Sequence, residues 1–246
     1  SLRYPRAAAP ALREAGFELR RGECLALIGE SGSGKSSLGR ALLRLLRGDV
    51  TGSAKFDGED LLTASRSRLR ALRRRIGVVF QDPYASLDPR QRIVDVVSEP
   101  LRIHTDLDAI ARRQRASALL AQVGLDDSAL DRYPHQFSGG QRQRIAIARA
   151  LAADPDLLVC DEAVSALDAQ HRAGILALLA GLKRQRRLAL LFITHDMGAA
   201  RALAERIAVM HQGEVVEQGP MAAVLSDPRH PATRALLADR PATRPA

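Results

Sequence analysis

Gly29-Glu30-Ser31-Gly32-Ser33-Gly34-Lys35-Ser36 reads as GxxxxGK[ST], which binds phosphate when a strand precedes it and a helix follows. Both neighbours are present. Residues 25–28 form an apolar run, and residues 36–46 carry apolar side chains at helical spacing. Such a loop turns successive backbone N–H groups onto a triphosphate, while the helix N-terminus adds partial positive charge. The pattern predicts Lys35 on the β and γ phosphates and Ser36 on Mg²⁺, with Ser37 among the nucleotide-contacting residues.

Outward from this loop, residues 76–80, 157–160 and 189–193 are three further apolar runs, each beside a helical pattern. Strands that read as continuous hydrophobic runs belong to a parallel sheet covered on both faces, so the expected class is α/β. Residues 207–210 and 214–217, separated by Gln212 and Gly213, predict a hairpin near the end. Between Pro89 and Asp154 the pattern is helical (94–101, 107–123 and 140–152) and no strand is expected. The organisation that follows is an α/β core over 1–88 and 155–219, interrupted by a helical subdomain over 89–154. A C-terminal tail over 220–246 is broken by prolines into a short helix, 232–238, and a frayed end.

Composition narrows the function classes. With 246 residues, 46% hydrophobic and 26% charged, the chain has enough apolar material for a core, and a disordered tail protein is excluded. Thirty-seven Lys and Arg against 28 Asp and Glu leave a net charge of +9, which favours anionic partners. Five Phe, three Tyr and no Trp give a single-strand binder little to stack bases on, so no nucleic-acid partner is expected. The longest apolar stretches are about half of the ~20 residues a membrane span needs. The first residues lack the apolar core of a signal peptide, and a cytosolic chain is expected. Cys24 and Cys160 sit inside apolar runs without metal-site spacing and read as reduced, buried thiols. The basic runs 66–75 and 183–187 read as solvated helix faces.

Two further segments carry chemistry. Asp161 and Glu162 end the apolar run 157–160, at the strand edge where parallel sheets bind ligands. Asp161 can hold a metal through water, and Glu162 can polarise an attacking water or take its proton. Ser138, Gly139 and Gly140 begin a helix and form a second anion-binding helix end that the first loop does not explain.

FSGGQRQR (residues 137–144), placed between the phosphate loop and LLVCDE, resembles the signature of ABC-transporter ATPases. SALD, ending in Asp168, resembles their D-loop; Gln81 after IGVVF and His195 in FITHD resemble the Q-loop and switch histidine. Tyr4 resembles the aromatic residue that stacks on adenine. The six motifs fall in the family's order across nearly the whole chain. The resemblance implies a P-loop NTPase fold with a RecA-like core and an inserted helical subdomain. It also implies a head-to-tail dimer holding two ATP and Mg²⁺, hydrolysed to drive transport. Ser138, Gly139, Gly140 and Gln141 would touch the γ phosphate bound by the other subunit's loop. His195 would help position Glu162, and Gln81 would contact Mg²⁺ and water.

QDPYASLDPR (81–90) and DPRHPATRALL (227–237) resemble the dipeptide, oligopeptide and nickel importer subfamily, in the ATPase type without a C-terminal cysteine cluster. This implies membrane permeases and a second homologous ATPase subunit as partners, a solute-binding protein acting indirectly, and a peripheral position on the cytoplasmic face of the inner membrane. The solute would be a peptide or a nickel or other metal complex. A soluble ABC ATPase acting on DNA or ribosomes is the other reading; no heptad run separates Lys35 from Asp161 to support it. The chain opens three residues before Tyr4, so a shortened first strand, or one half of a longer fused protein, is expected.

Overall fold

The computed structural model describes residues 1–5, 9–46 and 48–238. Along the chain these form β1 (Leu2–Arg3), β2 (Cys24–Gly29), α1 (Lys35–Leu42), β3 (Asp49–Val50), β4 (Lys55–Phe56), β5 (Glu59–Asp60), α2 (Arg66–Arg74), β6 (Ile76–Val79) and α3 (Pro83–Ser86). Helices α4 (Ile93–His104), α5 (Ala109–Gln122) and α6 (Gly139–Leu151) follow, then β7 (Leu157–Asp161), α7 (Ala169–Arg186), β8 (Ala189–Ile193) and α8 (Met197–Leu203). The last elements are β9 (Arg206–His211), β10 (Glu214–Pro220), α9 (Met221–Ser226) and α10 (Pro231–Ala238). The frayed end expected beyond residue 238 lies outside the described residues.

Six strands make the main sheet in the order β10-β9-β2-β8-β7-β6. All neighbours are parallel except the β9/β10 hairpin. The central strand explains why its sequence is apolar without alternation. Cys24, Ala26 and Ile28 pack into the cluster that includes α5, α6 and α7, while Leu25 and Leu27 pack on the opposite face with Leu38, Leu69 and Leu72. Both faces of the pleat are therefore dry, and every residue of β2 is buried. In the helical insertion, Val97 and Leu101 of α4, Leu119 and Leu120 of α5, and Ile145 and Ile147 of α6 join the first of these clusters. The expected period is realised there element by element.

Differences are local. Helix α1 stops at Leu42 rather than continuing to residue 46, because Arg44 takes a left-handed backbone, φ 50°. Helix α5 begins at Ala109, where the Asp108 side chain accepts the amide of Ala111 as a cap. Two antiparallel ribbons, β1/β3 and β4/β5, have no sequence signal, since two-residue strands carry no period. Lys183 corrects the reading of its basic run: it is 8% exposed and ion-pairs with Glu205. Arg75 likewise bridges Asp57 and Asp156 at 2.8 and 2.6 Å, whereas Arg66, Arg74 and Arg184 are exposed as expected. No helix among the described residues is long and apolar enough to cross a membrane.

The two cysteines are free and buried. Burial pushes the Cys160 thiol up to about 12 and raises Cys24 as well. Neither thiol is expected to react with a disulfide reagent while the protein is folded, and both should react on denaturation. Stoichiometric labelling of either one in native buffer would contradict this packing.

Candidate nucleotide site

The candidate residues gather beyond the C-terminal ends of four adjacent parallel strands, the edge at which open α/β sheets hold ligands. The 29–36 loop leaves β2, Thr194 and His195 leave β8, Asp161 and Glu162 end β7, and Gln81 follows β6. Gly34 precedes the first helical residue with φ 102°, a conformation that side chains strain to adopt. The turn it allows points Lys35 back into the loop. There Nζ donates to the carbonyls of Gly29 and Glu30 at 2.8 and 2.7 Å. Lys35 is 4% exposed, and among the described residues it forms no ion pair with a carboxylate. Burial pushes its ammonium below the ordinary value, opposed by the negative charge of Glu162, Asp161 and Glu30. A buried cation whose partners are the neutral oxygens of its own loop, the Gly29 and Glu30 carbonyls and the Ser33 hydroxyl at 3.5 Å, fits an anionic ligand.

Ser36 Oγ donates to Asp161 Oδ1 at 2.7 Å, and Arg40 approaches Asp161 Oδ2 at 3.3 Å. Arg40 was missed from sequence, although it lies one helical turn after Ser36 on the same face. A serine hydroxyl beside a carboxylate is a hard-oxygen pair suited to Mg²⁺, which takes one or two protein oxygens and completes its shell with water and phosphate. In keeping with that division, the described residues contain no cluster of three or more His, Cys, Asp or Glu that would cage a metal.

Glu162 carries the second carboxylate on a left-handed backbone, φ 51°, with its amide donating to Ile193 O at 2.9 Å. Gln81 Nε2 donates to Glu162 Oε2 at 3.1 Å, and His195 Nδ1 lies 3.4 Å from the same oxygen. Three residues chosen from separate motifs thus meet at one atom. Such a carboxylate can accept a proton from water that its neighbours orient. Tyr4 bonds Ser37 Oγ through its hydroxyl at 2.9 Å, which ties the aromatic ring to the start of α1.

The second glycine-rich segment stands apart. Ser138 caps α6 in a reciprocal box with Gln141: the Gln141 amide donates to Ser138 Oγ at 3.3 Å and the Ser138 amide to Gln141 Oε1 at 3.0 Å. Among the described residues no hydrogen bond joins Ser138, Gly139, Gly140, Gln141 or Asp168 to the 29–37 segment. Links to the first site run through Arg142, whose guanidinium lies 3.6 Å over the Tyr84 ring three residues after Gln81, and through Arg172, which donates to Leu167 O and to Asp196 beside His195. Sequence reading also missed His171, which contacts both Asp168 and Gly140.

A phosphate loop on the central strand of a parallel sheet, with an acidic strand end two positions along the sheet, defines a P-loop nucleotide-binding ATPase. The chain belongs to the ABC transporter family, whose profile matches residues 12–165. It is 52% identical over 235 residues to the glutathione import ATP-binding protein GsiA of Escherichia coli K12, covering 96% of this chain and 38% of that protein. A Shigella flexneri protein of the same name is 51% identical over the same span. The chain thus spans less than half the length of these relatives.

Among solved structures, dimeric MJ0796 bound to ADP and Pi superposes with TM-score 0.79 at 31% identity, covering 89% of this chain and 94% of that one. CbiO1 from Clostridium perfringens superposes with TM-score 0.80 at 29% identity, covering 92% and 88%. The chain is accordingly an ATP-binding ABC ATPase domain, and the fold class and family expected from its motifs are borne out.

Proposed function

We propose that this domain powers an ABC importer, and that it hydrolyses ATP between its own phosphate loop and the signature helix of a facing cassette. The convergence of Gln81, Glu162 and His195 on one carboxylate oxygen carries the hydrolytic part. Lys35 and the 29–36 amides hold the β and γ phosphates, with Tyr4 against the adenine and Ser37 beside the loop. Ser36 and Asp161, with Gln81 nearby, would hold Mg²⁺, which would supply positive charge to the phosphates when bound. Glu162 takes a proton from water as its oxygen attacks the γ phosphorus and the bond to the β–γ bridging oxygen breaks. Gln81 and His195 keep that carboxylate aimed. Ser138, Gly139, Gly140 and Gln141, capped and uncommitted to the first loop, face the γ phosphate of the other cassette, with Asp168 at the junction. The dimeric state named for MJ0796 supports this arrangement.

The solute is of peptide class, supported by the glutathione import named for the 52% identical relative. On this reading the helical subdomain over 89–154 transmits closure to membrane permeases at the cytoplasmic face, and a solute-binding protein delivers the cargo. The deciding experiment measures ATP turnover of the chain alone, then with its permeases and second ATPase in lipid. Stimulation by a solute-binding protein loaded with a small peptide is the expected result. Stimulation by nickel complexes alone would reassign the solute. Indifference to the permeases, with stimulation by DNA or ribosomes, would overturn the importer reading.

A further inference from the structure

His171 belongs to none of the motifs, yet it touches two of them. The carboxylate of Asp168 accepts the His171 amide at 2.9 Å through Oδ1 and meets His171 Nδ1 at 2.7 Å through Oδ2. These contacts, the backbone one first, hold the Asp168 carboxyl below its usual range. It therefore acts as acceptor, and Nδ1 is the donor. The same ring lies against the signature helix. A methyl group built on Gly140 would stand 2.3 Å from His171 Cδ2 and 3.0 Å from Cγ, whereas one on Gly139 would meet nothing nearer than Leu167 Cδ2 at 4.0 Å. The ring thus occupies the space a side chain at 140 would need. Its side chain is 47% exposed, so core burial does not account for the contact.

We propose that His171 is a positioning residue for ATP turnover. Pinned by Asp168, its ring sets the first turn of α6 against the start of α7, and so fixes the Ser138–Gly140 cradle for a phosphate carried by the facing cassette. The inference rests on the head-to-tail reading given above. It separates two properties that a merely structural residue would change together: nucleotide affinity at the Lys35 loop, which His171 does not touch, and ATP-driven assembly of two cassettes, which needs the cradle.

The test uses the full chain carrying Glu162→Gln, alone and mixed with the second ATPase of its transporter, with ATP-dependent assembly followed by sedimentation. Adding His171→Ala should raise the ATP concentration for half-assembly by about tenfold, in the range of measured couplings between contacting residues. Fluorescent-ATP affinity of the unassembled chain and its melting temperature should stay at parental values. Gly140→Ala, which presses the same contact from the other side, should impair assembly too. Combining it with His171→Ala should recover part of that loss, since the methyl group then fills the space the ring has left. An assembly curve for His171→Ala that overlaps the parent's would overturn the positioning role. A joint fall in melting temperature and nucleotide affinity would also overturn it, leaving His171 a structural residue. Should the Glu162→Gln parent fail to assemble in either condition, the head-to-tail reading itself falls, and this inference with it.

Discussion

Glu162→Gln is expected to lower ATP turnover by about 10²- to 10⁴-fold, the usual contribution of a positioned general base, while ATP still binds. The substitution keeps shape and acceptor geometry, since an amide oxygen can still take the bond that Gln81 Nε2 makes at 3.1 Å. What disappears is the capacity to hold a proton from water. Because Lys35 and Ser36 lie on a different strand's loop, nucleotide affinity should survive. Phosphate release and fluorescent-nucleotide titration measured side by side separate the two effects. Turnover within about twofold of the parent would remove Glu162 from its assigned role.

Lys35→Ala should fail at the opposite step, weakening ATP affinity by about 10²-fold or more through loss of charge-assisted contacts to phosphate. The ammonium is nearly enclosed and spends its protons on the Gly29 and Glu30 carbonyls of its own loop. A phosphate oxygen offers the charge those carbonyls lack. Removing the ammonium also leaves two carbonyls without their donor, so melting temperature should be recorded with the titration. Unchanged ATP affinity in a folded Lys35→Ala protein would sink the loop assignment, whatever happened to turnover.

Much of this candidate site is legible in the sequence, for a physical reason. Phosphate loops and acidic strand ends are local devices: the residues that form them are contiguous, and the strand and helix on either side are written in the same stretch. Gln81 and His195 were legible because each follows a buried strand of the same sheet, which delivers them to the same edge. Arg40 and His171 were not, since their partners Asp161, Asp168 and Gly140 are known only once helices have been packed. Arg142 was visible only as one letter of the signature, and its seat over Tyr84 depends on where α3 meets α6. The short ribbons near the start were illegible because two residues cannot display alternation. Lys183 misled because a basic run looks solvated until a carboxylate, here Glu205, is found to reach into it.

The backbone at Glu162 has a consequence for how the protein tolerates change. A left-handed conformation costs a residue with a side chain about 1–2 kcal/mol, and glycine adopts it almost freely. At φ 51°, glycine at position 162 would suit the turn better than the carboxylate whose oxygen gathers Gln81 and His195. On the hydrolytic role proposed for Glu162, selection for a sturdier fold and selection for faster turnover ask for different residues at one position. A search for stabilising substitutions guided by backbone preference alone would choose this position early and, on that proposed role, remove the carboxylate that turnover needs.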